Sequence, residues 1–192
     1  MPTSLSRFHP LIAQWFTERV GTPTDVQERA WSLPDTEHLL MTAPTGSGKT
    51  LAAFLSALNT LITKPRNAQV LDAYRILYIS PLKALNNDIR RNLETPLEEI
   101  RGYFARAGEK LRDISVGVRS GDTSADERRR MYKRPPDIFI TTPESLNILL
   151  TSASGEALIS NIGTVILDEI HAVAGTKRGV FLMTAIERLT AI

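Results

Sequence analysis

The stretch "MTAPTGSGKT", residues 41–50, follows the apolar pair Leu39-Leu40 and runs straight into "LAAFLSAL" at 51–58. Read outward from it, "HLLMTA" (38–43) is a strand candidate and "KTLAAFLSALNTLI" (49–62) a strongly apolar helix. A strand, a glycine-bearing loop and then Lys-Thr at a helix start is an arrangement that binds phosphate. Gly46 and Gly48 let the backbone curl with no Cβ in the way, so that N–H groups of the loop and first helical turn face phosphate oxygens. Lys49 adds a point charge toward the β- and γ-phosphates, and the Thr50 hydroxyl is a ligand for Mg2+. The general pattern G-x-x-x-x-G-K-[ST] asks for glycine at position 43, where this chain has Ala43. That departure costs little if Ala43 keeps a negative φ. A turn that only caps a helix is the competing reading, and the matching positions together with their flanking elements disfavour it.

The 192 residues fit one domain, long enough to bury roughly 70% of its unfolded surface. Hydrophobic residues at 42% and charged residues at 23% are ordinary globular usage and exclude a disordered or collagen-like chain. A net charge of +2 is too small to argue for nucleic acid by itself, so local clustering has to make that case. With no cysteine there is neither a disulfide framework nor a thiolate site, and three scattered histidines argue against structural zinc. The N-terminus lacks a basic, then apolar, leader, and no stretch approaches about 18 apolar residues, so the expected setting is the cytoplasm, away from membranes.

The rest of the chain alternates. "HPLIAQWFTERV" (9–20) reads as a helix stopped by "GTPT", and "DVQERAW" (25–31) as a second helix capped by Thr24 or Asp25. "RILYIS" (75–80), "ISVGVRS" (114–120), "DIFITT" (137–142) and "TVILDE" (164–169) read as strands. Helical patterns at 83–108, 124–133 and 143–152 separate them, the first broken or kinked at Pro96. Its Leu85, Ile89 and Leu93 recur every four residues. Strands separated by helices predict an α/β fold with a mainly parallel sheet and helices on both faces, in three layers.

A phosphate loop needs a carboxylate for its metal, and "TVILDEIH" (164–171) ends an apolar strand in Asp168 and Glu169. Asp168 is placed to hold Mg2+ through water, and Glu169 to orient and help deprotonate an attacking water. His171 is either an ordinary surface histidine or a link from the nucleotide site to the rest of the machine.

At this point the chain resembles a family. "APTGSGKT" with "DEIH" resembles motifs I and II of the superfamily 2 DExH-box helicases, in which alanine at the position of Ala43 is commonplace. "GTPTDVQ" resembles the adenine motif, with Gln27 reading the adenine edge and the upstream aromatic Phe8 placed to stack on the base. "SPLKALNND", "RSGDTS" and "TTPESL" resemble motif Ia, the glycine-containing motif and motif Ib, all in family order. "FHPLIAQWF", "SPLKALNNDI" and "DEIHAVAGTKRG" look most like the large helicase-related (Lhr) group, with Ski2-like RNA helicases as near relatives.

The resemblance implies a RecA-like P-loop NTPase domain at 37–192 behind N-terminal helices with the adenine motif at 1–36. It implies ATP and Mg2+ as cofactors, held by Ala43, Pro44, Thr45, Gly46, Ser47, Gly48, Lys49 and Thr50 with Asp168. Single-stranded nucleic acid, DNA before RNA, is the implied partner, as is a second RecA-like domain of a longer chain. No Ser-Ala-Thr motif follows the DEIH strand, so the expectation is a first motor domain, weakly active by itself. Carried over residue by residue, the strand-binding positions are Pro81, Leu82 and Lys83, Gly121 and Asp122, and Thr141, Thr142, Pro143 and Glu144. "TTPES" would be written the same way as a plain N-cap with proline at the first helical position. The basic run "ERRRMYKR" (127–134) is either a solvated helix face or a phosphate contact. Lys177 and Arg178 either touch nucleic acid or pack on the second domain. Trp15, Phe16 and Trp31 are expected in the core.

Overall fold

A computed structural model describes residues 3–34, 38–64, 74–81 and 85–191, with side chains outside residues 3 and 85–92. The chain divides into two compact units, Met1–Pro65 with Thr95–Arg112, and Arg66–Glu94 with Asp113–Ile192. The first unit is helical. A 3-10 turn at Thr3–Arg7 leads into α1 (Pro10–Arg19), α2 (Asp25–Ser32) and α3 (Lys49–Thr63). Pro10 opens α1, where its missing N–H costs nothing, and His9 caps it by accepting from the Leu11 N–H. Trp15, Phe16, Trp31, Phe54 and Leu58 are buried in its core, the two tryptophans and Phe16 as expected. Indole N–H groups in such a core need acceptors. Trp15 donates to Glu99 at 2.8 Å and Trp31 to the Ala52 carbonyl at 3.0 Å.

Helix α4 (Leu85–Ala107) lends its first half to the second unit and its second half to the first. It runs unbroken through Pro96, so of the expected break or kink the break does not occur. Leu93, Leu97, Ile100 and Phe104 are all buried, and the burial of that stripe outweighs the one backbone bond proline removes.

The second unit is the α/β body. Strands β1 (Arg75–Ile79), β2 (Val116–Arg119), β3 (Ile138–Thr141) and β4 (Ile162–Leu167) form one sheet in the order β2-β3-β1-β4, every pairing parallel. Between and after them lie α5 (Ala125–Lys133), α6 (Pro143–Leu149), α7 (Ala153–Ile159) and α8 (Lys177–Thr190). The residues of β3 and most of those of β1 are buried on both faces, which is why their sequences are nearly continuous apolar runs. Leu77, Ile79 and Phe139 pack on Leu146, Leu149, Leu158, Leu182 and Ala185 from α6, α7 and α8.

The expected strand at 38–43 is absent. Those residues form no ladder, and Leu39 and Leu40 are 45% and 71% exposed. A parallel strand is stable when both faces are covered and its backbone is paired, and this segment has neither. Among the described residues, no helix is long and apolar enough to cross a membrane.

Because all four strands run the same way, the loops that follow them lie along one edge of the sheet. That edge carries Pro81 after β1, Gly121 and Asp122 after β2, Thr142 to Glu144 after β3, and Asp168 and Glu169 after β4.

Candidate functional site

In the first unit, residues 43–50 curl through two left-handed glycines, Gly46 at φ +77° and Gly48 at φ +86°. Gly48 is the N-cap of α3, so Lys49 is the first helical residue. The Lys49 ammonium turns back onto the loop, donating to the carbonyls of Ala43 at 2.6 Å and Pro44 at 2.8 Å. The Ser47 N–H closes the turn on the Pro44 carbonyl at 3.3 Å. The Ser47 hydroxyl is buried with no hydrogen-bond partner, a leftover polar atom of the kind a bound phosphate satisfies.

The loop is fastened to α2. Thr24 and Gln27 form a capping box, the Gln27 Oε1 accepting from the Thr24 N–H at 2.9 Å. The Gln27 Nε2 then donates to the Gly48 carbonyl at 3.3 Å, and the Thr24 hydroxyl to the Ser47 carbonyl at 2.8 Å. Gln27 is 2% exposed, and a Cβ on Gly48 would come within 2.5 Å of its Nε2. Glycine at 48 is thus required twice, by its φ and by the glutamine beside it. Phe8, expected against adenine, is 7% exposed and edge-on to Trp31 at 4.9 Å. The structure spends that ring in the core, where little of its face is left for a base.

In the second unit, Asp168 continues β4, its N–H bonding the Ile79 carbonyl of β1 at 3.0 Å. Its carboxylate accepts from the buried Tyr78 hydroxyl through Oδ2 and from the Glu169 N–H through Oδ1 at 2.9 Å. Glu169 is left-handed at φ +51° and caps a 3-10 turn, Ile170–Ala172. A non-glycine residue held there is strained, and such strain concentrates at functional sites. His171 is 80% exposed at its side chain, with Nε2 3.2 Å from Glu169 Oε2. Among the described residues, no group of three or more acidic or histidine side chains gathers to hold a metal.

The nucleic-acid candidates fare unevenly. Leu82 and Lys83 lie outside the described residues. Thr141 is fully buried and donates to the Arg119 carbonyl at 2.9 Å. Thr142, 1% exposed, caps α6 by accepting from the Ser145 N–H, and Pro143 opens that helix, so the side chains of "TTP" serve the fold. Gly121 and Asp122 are exposed in a turn, with Arg128 of α5 donating to the Gly121 carbonyl at 3.0 Å. Helix α5 buries none of its residues, which leaves Arg129, Arg130 and Lys133 facing water. Arg178, the first α8 residue after Lys177, bonds the Glu144 carboxylate and the Pro81 carbonyl, the latter at 2.8 Å. That ion pair holds the Glu144 carboxyl below the usual carboxylate range.

A sequence profile of the DEAD/DEAH box helicases matches residues 24–191. The chain belongs to that family. It is 49% identical over 190 residues to the Lhr helicase/uracil glycosylase of Escherichia coli K12, covering 96% of this chain and 12% of that protein. It is 48% identical to the ATP-dependent helicase Lhr-Core protein 2 of Thermococcus barophilus, covering 93% of this chain and 21% of the relative. A structure of Mycobacterium smegmatis helicase Lhr bound to ssDNA and AMP-PNP superposes with a TM-score of 0.89 at 48% identity, over 98% of this chain and 23% of that one. The Lhr resemblance and the RecA-like fold expected from the motifs are thereby established, and the chain spans a small part of the relatives it matches.

Tyr78 escaped the motif reading, signalled only as the one hydroxyl-bearing aromatic in an apolar strand. Arg178, expected against nucleic acid or the second domain, bonds Glu144 and Pro81 of this chain. Two outcomes follow from the geometry. Gly48→Ala will destabilise the domain by about 1–3 kcal/mol, from strain and overpacking. In a Gln27→Ala background the same change will cost less, so urea unfolding of the four proteins shows non-additivity, whereas strict additivity contradicts the contact. Because the Glu144 carboxyl is lowered by Arg178, its stabilising contribution is complete above the ordinary value of 4.5 and is lost as pH falls through the lower folded value. The melting-temperature gap between wild type and Glu144→Gln will therefore be open at neutral pH and close in strong acid.

Proposed function

We propose that the chain is the ATP-binding motor domain of an ATP-dependent helicase, the first of two RecA-like domains of a longer protein, working on single-stranded DNA in the cytoplasm. The observation that carries this reading is the loop of two left-handed glycines that delivers Lys49 as the first residue of α3. Loop N–H groups from 43–48 and the Lys49 ammonium hold the β- and γ-phosphates, exchanging the Ala43 and Pro44 carbonyls for phosphate oxygens. Thr50 and Asp168 are the residues that would hold Mg2+, and Tyr78 and the Glu169 N–H fix the Asp168 carboxylate. Mg2+ supplies charge neutralisation on the phosphates when bound.

Glu169 orients and helps deprotonate the attacking water, its left-handed backbone setting the direction of the side chain, while His171 steadies it from the exposed side. Gln27 ties the loop to α2 and has a donor left for an adenine edge after its bond to Gly48. The adenine region is proposed at 1–36 and the nucleotide domain proper at 37–192. Gly121, Asp122 and backbone groups of the loops after β1 and β3 grip phosphates of the strand without reading sequence. The second domain supplies an arginine to the γ-phosphate, a contribution worth roughly 10³ or more in rate.

The test is ATP hydrolysis by the full-length protein with and without single-stranded DNA, for wild type and Glu169→Gln. DNA-stimulated turnover that falls on the order of 10²-fold or more in the variant, with nucleotide still bound, is the expected result. Turnover unaffected by the substitution would contradict the assignment.

A further inference from the structure

Among the described residues, one side chain bonds two of the loops that follow the parallel strands while sitting on the continuation of a third. Arg178 donates through Nη2 to the Pro81 carbonyl after β1, at 2.8 Å, and through Nε to the Glu144 carboxylate at the start of α6 after β3. It stands nine positions after Glu169, on the path that leaves β4. Strands β3, β1 and β4 are neighbours in that order, so the guanidinium spans three adjacent loops of the edge.

The path from Glu169 to Arg178 is built of consecutive short-range bonds. The Ala172 N–H bonds the Glu169 carbonyl at 2.9 Å, Val173 and Ala174 bond the Ile170 carbonyl, and Thr176 bonds the Val173 carbonyl at 3.0 Å. The Thr176 side chain caps α8 through the Gly179 N–H and also donates to the Val173 carbonyl at 2.7 Å. Val173 is buried, and a Cβ on Gly179 would run into its carbonyl, so α8 starts in close contact with the turn. A chain of turns closed this way moves as one piece, and displacement at Glu169 reaches Arg178 with little slack.

The side chains that motif reasoning assigned to the strand at Thr141 and Thr142 are buried and spent inside the protein. What remains for phosphate contact there is backbone, whose position depends on how the loops are held. We propose that Arg178 is the positioning residue that locks the Pro81 and Glu144 loops to the turn carrying Glu169, so that strand grip and the hydrolysis site change together. Lysine cannot take this role fully, because a guanidinium offers two arms in fixed directions and an ammonium is a point charge.

This inference rests on the motor-domain reading above, and its test separates the two. In the full-length protein, single-strand-stimulated ATPase is titrated against DNA and against ATP for wild type, Arg178→Ala, Arg178→Lys and the charge swap Arg178→Glu/Glu144→Arg, with melting curves confirming the fold. Arg178→Ala is expected to raise the half-saturating DNA concentration about tenfold while moving that for ATP less than about twofold. Arg178→Lys should fall between, and it keeps the test readable if the alanine variant does not fold. The swap rebuilds the pair with position 144 but leaves the Pro81 carbonyl without its donor, so it should recover part of the loss, which general destabilisation would not allow. DNA half-saturation within twofold of wild type in Arg178→Ala and Arg178→Lys, or a swap as defective as the single change, overturns the coupling role. A wild-type protein that DNA does not stimulate would overturn the motor-domain reading itself, and the coupling with it.

Discussion

Parallel pairing of β3, β1 and β4 is the constraint on which the rest of the site depends. Strands that share a direction deliver every following loop to one edge, and an α/β protein places its ligands there. Here that edge receives the acidic pair of the DEIH box, the glycine turn and the starts of α6 and α8. The register supports it, with Ile79 of β1 opposite Thr141 of β3 and Leu167 of β4, so the three strands end level with one another. A shift of one residue would turn Tyr78 to the opposite face and take its hydroxyl from Asp168.

The phosphate loop obeys a different constraint, local and steric. Its curl is set by two positive φ angles, and its position by Gln27, which closes the capping box of α2 and bonds the loop through one amide. Gln27, expected at the adenine edge, is thus a structural tie. The cost of any side chain at Gly48 follows from that closeness.

Most of this was legible in the sequence, and the exceptions have physical causes. Helix starts were readable because caps are chemical: Thr24 before α2, and proline after Thr142. The internal strands were readable because burial on both faces leaves only apolar residues. The segment 38–43 misled because apolar composition signals a strand only if a neighbour pairs with it, and neighbours are not encoded locally. Pro96 does not end α4 because proline's local cost is outweighed by the helix's buried stripe. The nucleic-acid motif at "TTPES" was ambiguous between cap and contact, and burial of Thr141 and Thr142 assigns the side chains to the fold. The partners of Arg178 were illegible because they lie 34 and 97 positions away in sequence.

Nucleotide affinity of the 192-residue chain tests the central claim most directly, by titration calorimetry with Mg-ATP on wild type and Lys49→Ala. Saturable binding by the wild type that disappears in the folded variant is the predicted result. Equal binding by both proteins would contradict the account, because the loop at 41–50 would then not be what holds the phosphates.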